Sequence, residues 1–100
     1  MDMDFLELEQ NAERASDLLA AMANPRRLML LCKLVEGERS VNDLAQSIGL
    51  SQSALSQHLA KLREKGLVAT RRDAQTIYYR LASEEVHGIL STLYGFYCQR

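Results

Sequence analysis

The sequence predicts a mainly α-helical chain with one small β-hairpin near its C-terminal end. Apolar residues recur at helical spacing in five segments. Short polar caps and glycines punctuate those segments. A single run, Thr76-Ile77-Tyr78-Tyr79-Arg80-Leu81, is instead rich in β-branched and aromatic residues.

Residues 5–22 place Leu8, Ala12, Ala15, Leu18, Leu19 and Met22 on the apolar face of a first helix. Acidic residues fill its early turns, where they suit the positive end of the helix dipole. Asn24-Pro25 breaks the pattern, with Asn24 as N-cap and Pro25 as the first residue of a second helix. Leu28, Leu31, Cys32 and Val35 form one face of that helix, Leu30 and Leu34 widen it, and Gly37 ends it. Ser40 opens a third helix with Asp43 three residues on, and Val41, Leu44, Ala45 and Ile48 face inward. Gly49 closes it. Ser51 caps the fourth, where Leu55, Leu59 and Leu62 run at i, i+4, i+7 until Gly66.

The connection Ile48-Gly49-Leu50-Ser51 has the spacing of a helix-turn-helix, with Gly49 supplying the positive φ that lets the second helix cross the first. Leu67–Arg72 and Thr76–Leu81 read as strands around a polar loop, Asp73-Ala74-Gln75. Ser83, with Glu85 and Val86, opens a last helix whose apolar face is Val86, Ile89, Leu90, Leu93, Tyr94 and Tyr97. Four helices, two strands and a helix are the order of a winged helix-turn-helix. So apolar a terminal helix needs a surface to cover it, and with the first helix it forms the expected homodimer interface.

One hundred residues make one expected domain, 1–100, with a DNA-reading part at about 40–81 and dimerisation helices at about 5–22 and 83–98. Apolar stretches such as Leu28–Cys32 are far too short for a bilayer, and the acidic N-terminus lacks a signal-peptide pattern. The expected location is the cytoplasm, with no membrane partner. The net charge of −1 argues at first against nucleic acid, but its distribution does not. Residues 1–23 carry six acids and one base, whereas residues 51–80 carry six bases (Lys61, Arg63, Lys65, Arg71, Arg72 and Arg80) and two acids. Charge alone is equally satisfied by solvated faces. The basic segment gains meaning from its place in the local structure.

On the Ser51–Lys65 helix, a rotation of about 100° per residue puts Ser53, Ser56, Gln57, Ala60 and Lys61 opposite the leucines. Polar helix faces are usually just solvated. Here the side chains are short hydroxyls and amides near the N-terminal turns, suited to base edges, and Ala60 permits close approach to a major groove. Gln52 and His58 flank this face, and His58 is equally well read as packing beside the preceding helix. Arg63 and Lys65 suit backbone phosphates. Arg71, Arg72 and Gln75 lie at the hairpin tip, where charge either meets DNA or protects a sheet edge. Neighbouring arginines on a strand point to opposite faces, so one suits a minor groove and the other a phosphate. No nucleophile–base constellation, phosphate loop or complete metal set is present, so an enzyme is not expected.

Taken together, Ala23-Asn24-Pro25-Arg26-Arg27-Leu28, Leu44-Ala45, the run Leu50–Leu59, Leu62-Arg63 and Gly66-Leu67-Val68 resemble the ArsR family of dimeric repressors over essentially the whole chain. The resemblance implies a homodimer on double-stranded DNA carrying an inverted repeat, with a small signal altering affinity. Cys32, Cys98 and Ala74-Gln75-Thr76 resemble the sulfide- and redox-responsive branch. In that branch the two cysteines imply a dithiol sensor of reactive sulfur species or oxidants. The arsenic-type site of the family needs a Cys-x-Cys pair where this chain has Ser40-Val41-Asn42. The zinc-type site is matched only in part by Glu85, His87 and Cys98, so no metal or cofactor is expected. Cys32, on the face taken as buried, is equally explained as small core packing, whereas Cys98 should be accessible near the chain end. The alternatives are an activator that displaces a silencing protein, a metal-responsive repressor with a degraded site, and a winged-helix module that docks proteins.

Overall fold

The computed structural model describes residues 3–98. The Asp4 carboxylate accepts from the N–H groups of Leu6 and Glu7 at 3.1 and 3.2 Å and starts α1 (Phe5–Met22). Of its apolar stripe only Met22 is buried, joined by Ala21. Leu18 is half-buried and Leu8 and Leu19 lie open. Only the last turn of α1 reaches the core of its own chain. Arg27 secures that turn by donating from Nε to the Ala21 carbonyl at 2.6 Å.

Asn24 caps α2 (Pro25–Val35) as expected, its Oδ1 accepting from Arg26 N at 2.9 Å and Arg27 N at 3.2 Å. The buried face of α2 is Leu30, Leu31 and Leu34; Cys32 and Val35 are exposed, contrary to the expected face. Apolar residues occupy nearly every position here, so periodicity alone cannot choose a side. Packing against α3 (Val41–Ile48), α4 (Gln52–Glu64) and the sheet chooses it.

Between α2 and α3 lies a strand with no sequence signal, β1 (Arg39–Ser40). Two residues are too few to show a period. Ser40 both ends β1 and caps α3, its Oγ accepting from Asp43 N at 3.1 Å. Leu44 and Ile48 bury the inner face, and Gly49 closes the helix at φ +75°. Ser51 caps α4 through Ala54 N at 3.2 Å, and Leu55, Leu59 and Leu62 are buried. Gly66, at φ +76°, turns the chain so that Leu67 N bonds back to the Leu62 carbonyl at 2.9 Å. Leu67 therefore belongs to the helix-ending turn, and β2 runs Val68–Asp73 rather than Leu67–Arg72.

β2 pairs antiparallel with β3 (Thr76–Leu81), in a sheet of order β1-β3-β2. Asp73 pairs with Thr76, so the loop is the two-residue turn Ala74-Gln75, with Ala74 at φ +55°. Ser83 caps α5 (Glu84–Tyr97) through Val86 N at 3.2 Å. Val86 and Leu90 are buried in the core, but Phe96 and Tyr97 are 70% and 78% exposed. The fold is mainly helical, with five helices and a small antiparallel hairpin. No helix of the described residues is long and apolar enough to cross a membrane.

Candidate nucleic-acid interface

The leucines of α4 hold one side of that helix in the core, so its other side must face solvent. Ser53, Ser56, Gln57, Ala60 and Lys61 are all exposed there. His58 sits half-buried at the flank, consistent with contact to either DNA or the neighbouring helix. Gln52 is exposed, and its Nε2 donates to Asn42 Oδ1 at 2.8 Å, linking the first turns of α4 and α3. Arg63 and Lys65 are exposed at the C-terminal end of α4. The two ends of the helix thus differ: small hydrogen-bonding groups at the start, cations toward the finish. Base edges call for the first kind of group, phosphates for the second.

In the wing, the two arginines have different surroundings. Arg71 and Tyr78 are cross-strand partners, and the guanidinium carbon lies 4.5 Å from the ring centroid. Arg71 Nε and Nη2 each lie 2.8 Å from Glu38 Oε1. The Glu38 hydrogen bond holds the guanidinium even more firmly protonated than usual. Arg72 points from the opposite strand face and makes no ion pair or hydrogen bond among the described residues. Gln75 is exposed in the turn. Glu38, Tyr78 and Asn42 have no motif that would single them out in the sequence; pairing of distant segments brings them to the site.

Cys32 on α2 and Cys98, just beyond α5, are both free and exposed. Partial burial pushes the Cys32 thiol up, and the negative charges of Cys98 and then Glu36 push it further. Cys98 thus bears on Cys32 although the two lie in different helical segments. Glu85 and His87, the other members of the incomplete zinc-type set, belong to the first turns of α5. At about 1.5 Å per residue, Cys98 lies roughly 20 Å along the axis from Glu85. The Glu85 carboxyl is held below its usual range by its own backbone N–H and by the Ser83 hydroxyl at 3.0 Å. No three His, Cys, Asp or Glu side chains among the described residues come together to hold a metal ion.

The sequence pattern of the bacterial regulatory protein arsR family matches residues 24–70, from the cap of α2 into β2. The chain is 53% identical over 97 residues to the transcriptional activator HlyU of Vibrio cholerae, covering 97% of this chain and 90% of HlyU. Nodulation protein NolR of Rhizobium meliloti is 56% identical over 92 residues, covering 89% of this chain and 75% of NolR. The crystal structure of the transcriptional repressor BigR from Xylella fastidiosa superposes with a TM-score of 0.91 at 43% identity. That match covers 98% of this chain and all of the BigR chain. HlyU and BigR are named as transcription regulators, and the likeness extends over α1 and α5 as well as the helix pair and wing. The chain belongs to the ArsR family and is a DNA-binding transcription regulator with a winged helix-turn-helix fold.

Proposed function

We propose that two copies associate through α1 and α5 and present their α4 helices to successive major grooves of an inverted repeat. In this reading residues 1–100 act as one unit, with α1 and α5 clamping two reading heads. The exposed apolar side chains of α1 and α5, Phe5, Leu6, Leu19, Tyr94, Phe96 and Tyr97, support this association. Ser53, Ser56 and Gln57 read base edges, flanked by Gln52 and His58. Lys61, Arg63 and the wing, with Arg72 and Gln75 exposed at its tip and Arg71 beside them, meet the backbone or the adjacent minor groove. The chain acts as a repressor, as BigR is by name. Similarity to HlyU, named an activator, favours the opposite sign. A promoter reporter with and without the chain decides between them.

The thiol state of Cys32 and Cys98 sets DNA affinity. One thiolate attacks a polysulfide sulfur and expels a shorter polysulfide anion, leaving a persulfide. The second thiolate attacks the inner sulfur of that persulfide and expels hydrosulfide, and the link ties α5 to α2. Half-sites lie about one helical turn apart, so a small change in head spacing weakens binding to both at once. Two free, exposed thiols, with Cys98 among the groups that raise the Cys32 thiol, support this switch. One solved relative is reduced HlyU, which is 54% identical to this chain with a TM-score of 0.88. The test treats wild type and Cys32→Ser with polysulfide and compares intact mass and promoter binding. Loss of binding only in wild type supports the switch; an equal response of both removes it.

A further inference from the structure

Arginines on a DNA-facing wing are usually counted as phosphate contacts, yet Arg71 already has two occupations. Strand alternation puts Arg71, Tyr78 and Glu38 on one face of the sheet, because Arg71 is opposite Tyr78 and Ser40 is opposite Tyr78 on the other side. Two N–H groups of Arg71 converge on one carboxylate oxygen, and its plane lies against the Tyr78 ring. Arg71 on the outer strand therefore reaches past Tyr78 to Glu38 at the corner before β1, which the register sets two residues along from the Ser40–Tyr78–Arg71 line. Asp73, on the same face, adds a second negative charge near the guanidinium.

This contact has a mechanical consequence. A two-stranded ribbon on its own is marginal and free to twist. Here its outer strand is fastened to the corner between α2 and β1, which is itself held by Arg39 bridging Glu36 at 2.7 Å and Asp43 at 3.2 Å. An exposed ion pair adds little stability, so its main effect is geometric. It also has an electrostatic consequence. A guanidinium paired to a carboxylate brings no net charge to a phosphate and releases no counterion. Arg72, unpaired and on the other face, brings a full charge.

The geometry points to Glu38 and Tyr78 as positioning residues that use Arg71 as a pin to set the wing's angle, leaving Arg72 as the wing's phosphate contact. This rests on the winged chain binding DNA, and it divides two arginines that the sequence leaves equivalent.

The experiment measures affinity across a salt series for a duplex selected from a random library by the wild-type chain, and for a scrambled duplex. The variants are Arg72→Gln, Arg71→Gln, Glu38→Gln and the Glu38→Gln/Arg71→Gln pair, with thermal melting as a check on folding. Arg72→Gln should reduce the slope of log affinity against log salt by about 0.9 per bound chain on both duplexes. Arg71→Gln should leave the slope unchanged, and Arg71→Gln and Glu38→Gln should weaken the selected duplex alike, roughly 3- to 10-fold. The double variant should be no worse than either single one. Tighter binding by Glu38→Gln, together with a reduced slope for Arg71→Gln, would overturn the proposal by making Arg71 the phosphate contact and Glu38 its competitor. Unchanged binding by Glu38→Gln would overturn it too. Failure of wild type to prefer any selected duplex would count against sequence-specific reading itself, a separate outcome.

Discussion

Gln52 Nε2 donates to Asn42 Oδ1 at 2.8 Å and ties the first turn of α4 to the first turn of α3 on the exposed edge of the helix pair. The bond leaves Gln52 with a second amide hydrogen and its Oε1, the pair of groups that an adenine edge can engage. Asn42→Ala should release that side chain at little cost to the fold. An exposed hydrogen bond contributes about 0.5–1.5 kcal/mol at most. The expected result is a small fall in melting temperature and a several-fold loss of affinity for the preferred duplex. Thermal denaturation and fluorescence anisotropy on the same preparation check both.

Gly49 stands at φ +75° between the two helices, and a Cβ there would meet nothing within 4 Å. The cost of Gly49→Ala therefore comes from backbone conformation alone, about 1–2 kcal/mol. Gly49→Asn should cost less, because asparagine tolerates the left-handed region. Urea denaturation of the two variants should rank them in that order.

Leu55 is fully buried where α4 faces the core. Leu55→Ala removes packing and leaves a cavity, with an expected loss of about 2–5 kcal/mol. That is a large share of the total stability of a chain this small. The urea midpoint should fall with little change in slope, measured at fixed protein concentration because association also stabilises.

The Cys32 thiol is pushed above its ordinary range by burial first, then by Cys98 and Glu36. A raised pKa keeps more of the neutral thiol at a given pH, so alkylation of Cys32 should lag behind that of free cysteine and accelerate as pH climbs through the raised value. Cys98→Ser removes one of the negative neighbours and should move that acceleration to lower pH. Glu36→Gln should move it the same way, by less. Peptide-resolved mass spectrometry after timed iodoacetamide pulses at stepped pH reads each site.

Leu19 on α1 and Tyr94 on α5 are 52% and 55% exposed. If these helices form the interface between copies, Leu19→Glu and Tyr94→Glu place charge in it and should shift the chain to monomers in sedimentation. Affinity for an inverted repeat should fall at least tenfold, with far less change on a single half-site. A variant that stays dimeric would assign association to another surface.

Helix boundaries were legible because their signals are local. Asn24, Ser40, Ser51 and Ser83 each cap through a bond spanning two or three residues, and Gly49 sits at the positive φ its place in the turn implied. The outward face of α4 was legible for the same reason: three leucines at helical spacing leave one opposite side. The face of α2 was not. With apolar residues at Leu28, Met29, Leu30, Leu31, Cys32, Leu34 and Val35, several rotations bury similar surface. The chosen rotation exposed Cys32 and Val35, and so left a thiol accessible that had seemed equally suited to the core.

By itself, then, the sequence determined the order of helices and hairpin, the turn between α3 and α4, and the polar face of α4, all set by interactions within a few residues. Only the tertiary structure decided which side of α2 is buried, that β1 joins the hairpin, and that Cys32 feels the charge of Cys98. It alone distinguishes Arg71 from Arg72, because Glu38 lies 33 residues from Arg71 along the chain. Such a contact has no local period or cap to announce it. It exists only once β1, β3 and β2 have paired in register and brought the three side chains together on one face.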